Sequence, residues 1–343
     1  MKIKSRVIIS CCAVVMLLFV LLWLVQCLLV PKYTSDDIPE GALISEYYQS
    51  AGGHDVLFVG DCEVYENFSP VTLWEKYGIS SYIRGSAQQL IWQSYYMLAE
   101  MLEYETPQVV VYNVLAMKYG TPQSEAYNRL NLDGMRMSSY KIKAVRASMT
   151  DGESFLSYVF PLLRYHSRWS ELGANDVTYM FRRDSVSHAG YLMQTGVRGI
   201  DPASIPAAPP LESYELPRVC WDYLDRMRDL CEQHGCQLVL IKAPSLYPHW
   251  YAEWDSQVAD YASRYGLKYY NLLAIYQDIG IDWSCDTYDM GLHLNVTGAE
   301  KLSEYFGRVL LADCGVVDRR GETKSSDAWS EICRAYYNEK ENR

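Results

Sequence analysis

The chain has 343 residues, a net charge of −11, 49% hydrophobic residues and 21% charged ones. That mixture is too apolar for a disordered chain, and no basic cluster appears beyond the first few residues, which excludes nucleic-acid binding as a class. Enough apolar material is present for one large α/β domain of about three hundred residues.

Lys2, Lys4 and Arg6 precede an uncharged apolar run of 24 residues, Val7 to Val30, longer than the ~20 needed to cross a bilayer's hydrocarbon core. Basic residues ahead of the run outnumber the single Lys32 behind it, so the positive-inside bias places the N-terminus in the cytoplasm and the rest outside the cell. The run exceeds the 7–15 residues of a signal-peptide core, and no small-x-small cleavage site follows it. A cytoplasmic stub and single-pass anchor over 1–31 and a linker over 32–54 are therefore expected.

Five short apolar runs bounded by turn residues read as buried strands: Asp55 to Gly60, Ser81 to Arg84, Gln108 to Asn113, Gln237 to Ile241 and Leu267 to Tyr270. Helical segments lie between and after them: Gln88 to Tyr104, Leu216 to His234, Tyr251 to Tyr265 and Thr297 to Leu311. Gly235 and Gly266 stop two of these helices just before a strand, the pattern of parallel β-α-β units. The expected fold is a three-layer α/β sandwich with a five-stranded, mainly parallel sheet over 55–315. Roughly a hundred residues, about 115–215, separate the third and fourth strands as a largely helical insertion expected to cap the active face. Residues 316–343 read as a loosely held tail.

Of ten cysteines, three lie in the apolar run and seven beyond it, an odd number that leaves at least one unpaired. Local disulfides between Cys231 and Cys236, or Cys314 and Cys333, are open. Cys62, at a strand-to-helix turn, is the candidate free thiol. No metal-ligand spacing occurs, and neither a metal nor a cofactor is expected. Thirty tyrosines and nine tryptophans read as packing for helices on the sheet.

Two stretches carry chemistry. The first strand breaks at Gly60 into Gly60-Asp61-Cys62-Glu63, and Asp289-Met-Gly-Leu-His293-Leu-Asn-Val-Thr-Gly-Ala places an acid four residues before a histidine, ahead of a helix. The first stretch resembles the G-D-S-L nucleophile block of SGNH (GDSL) hydrolases, and the second resembles their final block. The G-x-x-E opening, the Gly85-Ser86-Ala87-Gln88 turn, the Tyr165-to-Trp169 run and the anchor are similar to membrane-anchored members of that superfamily in Gram-positive bacteria. Those members are related to the D-alanyl transfer protein of teichoic-acid modification and to alginate O-acetylation proteins.

The resemblance implies Cys62 in the nucleophilic serine's position, His293 as general base and Asp289 as the acid orienting it. It also implies Gly85 and Asn113 as oxyanion-hole residues, with Ser86, Gln88 and His166 as candidates to line the cleft. The family's acid-to-histidine spacing is three rather than four, so Asp286 stands as the alternative acid and Gly291 as the residue a loop would absorb. Asn295, in Asn-Val-Thr, reads as the cap of the following helix.

Acyl transfer needs a nucleophile that an imidazole can deprotonate, a carboxylate fixing the imidazole's tautomer, and preorganised oxyanion donors. A thiol beside an imidazole and a helix N-terminus is expected to fall from ~8.5 toward 3.5–7.5, opposed by Glu63 if that side chain points inward. The implied function is an extracytoplasmic acyl esterase or O-acyltransferase acting on a cell-envelope glycan, partnered by a membrane-bound O-acyltransferase. The alternative is a non-catalytic binding or assembly subunit of an envelope-modification complex. Cys62 as a small core residue and His293 as a hydrogen-bonded loop histidine are the structural readings of the same positions.

Overall fold

The computed structural model describes residues 2–32, 40–50, 52–183 and 185–342. Five strands, β1 (Val56–Gly60), β2 (Ser81–Gly85), β3 (Val109–Asn113), β4 (Gln237–Lys242) and β5 (Lys268–Asn271), form one sheet in the order β2-β1-β3-β4-β5. Every pairing is parallel. Because the chain winds from β1 to β2 on one side and to β3 on the other, the carboxyl ends of β1 and β3 flank the switch point where sites form in such sheets.

Alternate residues of each strand feed opposite faces, as the period-two geometry of a strand requires. Val56, Phe58, Val109 and Val111 pack with Leu302, Phe306 and Leu310 of the helix Val296–Cys314. Leu57, Val59, Val110 and Tyr112 pack instead with Leu98 of the helix Ile91–Met101, Leu224 of Arg218–Gln233 and Val258 of Ala252–Tyr265. β5, the edge strand among the described residues, is only half-buried.

The N-terminal helix Lys2–Leu29 contains a stretch, Ser5–Leu29, long and apolar enough to cross a membrane, and none of its most apolar part is buried in the protein. Lys32 closes its end, with Nζ donating to the carbonyls of Cys27, Leu28 and Val30 at 2.8, 3.3 and 2.5 Å.

Two boundary expectations are corrected. The described part of the 32–54 linker includes a helix, Ala42–Ser50, whose Ile44 and Tyr47 are fully buried. Tyr47 Oη also donates to Glu105 at 2.7 Å. The 316–343 tail is a docked helix, Thr323–Asn342, with Trp329 and Tyr336 buried in the core and Trp329 stacked on Trp74 at 5.3 Å and 9°. Its apolar residues recur among so many charges that composition alone made it read as solvated. The insertion also divides in two. Of its helical part, Ser139–Ser148 packs on the helix Ile91–Met101 while the short turns between Leu162 and Thr178 lie against the N-terminal helix, and its extended part, about 186–200, laces the loops near His293. All ten cysteines are free.

Trp329→Ala removes a fully packed indole and is expected to cost about 3–5 kcal/mol in denaturant unfolding. A loss below about 0.5 kcal/mol, typical of an exposed surface position, would mean that the helix is not docked.

Candidate active site

Gly60 ends β1 with φ +156°, and a Cβ there would meet Val64 Cγ2 at 2.5 Å and Asn113 Cβ at 3.2 Å. Only glycine lets the chain turn so closely past β3. Asp61 then caps the one-turn helix Cys62–Tyr65, its carboxylate accepting the Glu63 N–H at 3.2 Å. Gly85, paired with Gly60 across the sheet, is pressed equally close, since a Cβ on it would come within 2.8 Å of the Gly60 carbonyl.

Beneath Cys62 lies a buried charge cluster that the sequence reading did not foresee. Glu63 points inward, almost wholly buried, and is held by Lys242 Nζ at 2.8 and 2.9 Å and by the hydroxyl of Ser245. Asn113 closes the cluster: Nδ2 donates to Asp61 at 3.0 Å and Glu63 at 2.9 Å, and Oδ1 accepts the Ala243 N–H at 3.0 Å. Both amide hydrogens of Asn113 are thus engaged with carboxylates, which leaves neither aimed at an oxyanion in this state. Burial, together with Glu63, raises the Asp61 carboxyl to about 6. Half-buried Lys118, just after β3, falls to about 8 through burial, against the pull of Glu63 and Asp61.

The second stretch closes over this turn. Asp289 grips His293 twice, through Oδ2 to Nδ1 at 2.7 Å and Oδ1 to the backbone N–H at 2.8 Å. The four-residue spacing is taken up by left-handed Met290 (φ +67°) and Gly291 (φ +94°), with the Gly291 N–H on Thr287 Oγ1 at 2.8 Å. Asn67 ties this loop to the first stretch, accepting the Leu294 N–H at 2.8 Å and donating to the Pro244 carbonyl at 3.0 Å. A second carboxylate, Glu66, stands 3.1 Å from His293 Nδ1 and receives the Tyr288 hydroxyl at 2.6 Å. Its place one helical turn beyond Cys62 was the available signal for it.

His293 is 7% exposed, and its Nε2 makes no hydrogen bond among the described residues. Burial lowers the imidazole's affinity for a proton, but the Asp289 hydrogen bond, Cys62 and Glu66 together raise it to about 11. Asp289 moves the other way, held below the usual carboxylate range by its bonds to His293 despite the opposing effect of burial. The Cys62 thiol, half-buried beside the imidazole, is raised rather than lowered. Burial dominates and outweighs the help from His293, with Asp61 and Glu66 adding smaller upward contributions. The expected fall in the thiol is therefore corrected: burial of the sulfur outweighs the imidazole's help, and the Asp61 and Glu66 carboxylates add to the rise.

Neither a family model nor a curated protein matches this chain. Among solved structures, one described as a "putative acylhydrolase" from Bacteroides fragilis NCTC 9343 is 11% identical, with a TM-score of 0.36. It covers 84% of this chain and 94% of its own.

The remaining sequence candidates disperse. Asp286 is wholly buried and paired with Lys301 at 2.6 Å and the Asp282 N–H at 2.8 Å. Ser86 is buried and Gln88 half-buried with φ +48° in the turn after β2, and among the described residues neither side chain bonds to Cys62 or His293. His166 is exposed, its Nδ1 near the Leu163 carbonyl at 3.0 Å, on a short helical turn that packs against the N-terminal helix. Asn295 caps the helix Val296–Cys314, accepting the N–H groups of Thr297 and Gly298 at 3.1 and 3.2 Å.

Two outcomes follow. Lys242→Met strands the buried Glu63 carboxylate and should destabilise the protein by about 3–5 kcal/mol, while adding Glu63→Gln should recover most of that in urea melts. Iodoacetamide alkylation of Cys62, followed by peptide mass spectrometry, should still be accelerating above about pH 8.5. The thiolate forms only as pH passes the raised value, and His293→Ala, which removes the one lowering partner, should shift the curve further up. A plateau at neutral pH would contradict that direction.

Proposed function

We propose that the protein is a membrane-anchored acyl esterase or O-acyltransferase of the SGNH type, with the folded domain on the extracytoplasmic side and an acyl ester of a cell-envelope glycan as substrate. The observation that carries this reading is Cys62 beside the His293 imidazole, with Asp289 2.7 Å from Nδ1 and the opposite nitrogen bound to no structural partner among the described residues.

At neutral pH the raised imidazole and raised thiol leave the pair with one proton too many. Loss of one proton gives a thiolate facing an imidazolium. The Cys62 sulfur pair then forms a C–S bond to the ester carbonyl, the C–O bond breaks, and the imidazolium proton passes from Nε2 to the departing alkoxide. The resulting neutral imidazole takes the proton of an incoming hydroxyl, whose oxygen attacks the thioester and expels the thiolate. Water as that hydroxyl gives hydrolysis, and a glycan hydroxyl gives transfer. The backbone N–H of Cys62, first in its helix and so without an intrahelical acceptor, is the oxyanion donor this turn supplies. Membrane attachment suits an acyl donor delivered by a membrane-bound O-acyltransferase.

One observation favours a second reading. With both Asn113 hydrogens held by Asp61 and Glu63, the oxyanion site is poorer than the reaction calls for, as in a fold retained as a binding or assembly subunit. Brief exposure of the full-length chain in detergent to p-nitrophenyl acetate, read by peptide mass spectrometry, separates the two. Acetylation confined to Cys62 and slowed about 10²–10⁴-fold in His293→Ala supports the enzyme. Equal rates in both proteins, or no adduct, support the subunit.

A further inference from the structure

We propose that the segment from Phe155 to Arg183, within the insertion, docks on the bilayer crossed by the N-terminal helix, embedding its apolar side chains in the lipid interface. The inference rests on reading that helix as a membrane anchor.

Leu156, Phe160, Leu163, Trp169, Val177 and Phe181 are each between 52% and 73% exposed, a density of large apolar side chains met nowhere else in the described part of the folded domain. Clustered exposure of this kind marks a surface that something covers. Arginines at 164, 168, 182 and 183 are interspersed with them, the aromatic and basic mixture that suits a lipid interface.

What covers the patch follows from its depth. Phe181 meets the Trp23 ring at 5.6 Å. Trp23 lies six residues before Leu29, the last residue of the apolar helix, or about 9 Å below the helix end at 1.5 Å per residue. Arg168 Nη1 donates to the Leu29 carbonyl at 2.5 Å, and Arg183 Nη1 to the Pro31 carbonyl at 3.4 Å. These bonds fix the segment beside the point where the helix leaves the hydrocarbon. A side chain touching Trp23 is therefore level with the outer part of the bilayer, where lipid is the surrounding medium. The insertion, expected from its length to cap the site, then uses its helical half to set the height and tilt of the domain over the membrane.

The test is hydrophobic photolabelling of the full-length chain in vesicles of phosphatidylcholine and phosphatidylglycerol carrying a diazirine in one acyl chain, read by peptide mass spectrometry. Expected are adducts on peptides containing Leu163, Trp169 or Phe181 as well as within the anchor. The pair Trp169→Ser and Phe181→Ser should cut the segment's labelling several-fold and leave the anchor's unchanged. Labelling of the anchor with none in the segment overturns the proposal alone and points to water or a protein partner on that face. No labelling in either overturns the anchor reading as well.

Discussion

The site depends on one buried ion pair. Glu63 and Lys242, both essentially without solvent, join the turn after β1 to the end of β4, and Asn113 at the end of β3 locks into the same cluster. A carboxylate and an ammonium at the switch point of a parallel sheet cannot stand alone in that environment, because an unpaired charge there costs several kcal/mol. Each of the three strand ends is therefore held where its partners need it. Cys62, one residue before Glu63, has its position set from below by a contact in which it takes no part.

The same cluster shapes the chemistry above it. Asp61 and Glu63 belong to the turn that presents Cys62, and Glu66 reaches His293 from the next turn. Negative charge near a thiol disfavours thiolate, while two carboxylates around an imidazole favour imidazolium. The two effects fall on neighbouring groups. The imidazole holds its proton firmly, and the thiol gives up its own reluctantly. Asn113 is committed to the same cluster, since the carboxylates that it satisfies take up both of its amide hydrogens.

Packing ties the site to the rest of the molecule through short polar links. Asn67 spans the two chemical stretches, the Ser69 N–H bonds the hydroxyl of Ser303 at 2.7 Å on the helix following His293, and the Leu192 N–H bonds the Tyr65 carbonyl at 2.8 Å. The extended part of the insertion is thus laced to the site loops, while its short helical turns between Leu162 and Thr178 sit against the N-terminal helix. One insertion touches both the candidate site and the N-terminal helix.

Much of the fold was legible because it rests on local periodicity. The five strands stand within a residue or two of their apolar runs, and the helices that end at Gly235 and Gly266 stop where glycine permits the reversal. The close spacing of Gly60, Cys62, Asp289 and His293 in two short stretches likewise marked the candidate site. Less legible were the docked C-terminal helix around Trp329 and the helix at Ala42–Ser50, whose few apolar residues gain meaning only against the core that receives them. The sequence alone determined an apolar N-terminal helix, a parallel α/β order, and an acid and a histidine at an unusual spacing of four. Only the tertiary structure decided that Glu63 turns inward to Lys242, that Glu66 joins Asp289 at His293, and that the thiol is raised. Charge interactions depend on distance and burial between residues far apart in the chain, and neither quantity is written in local sequence.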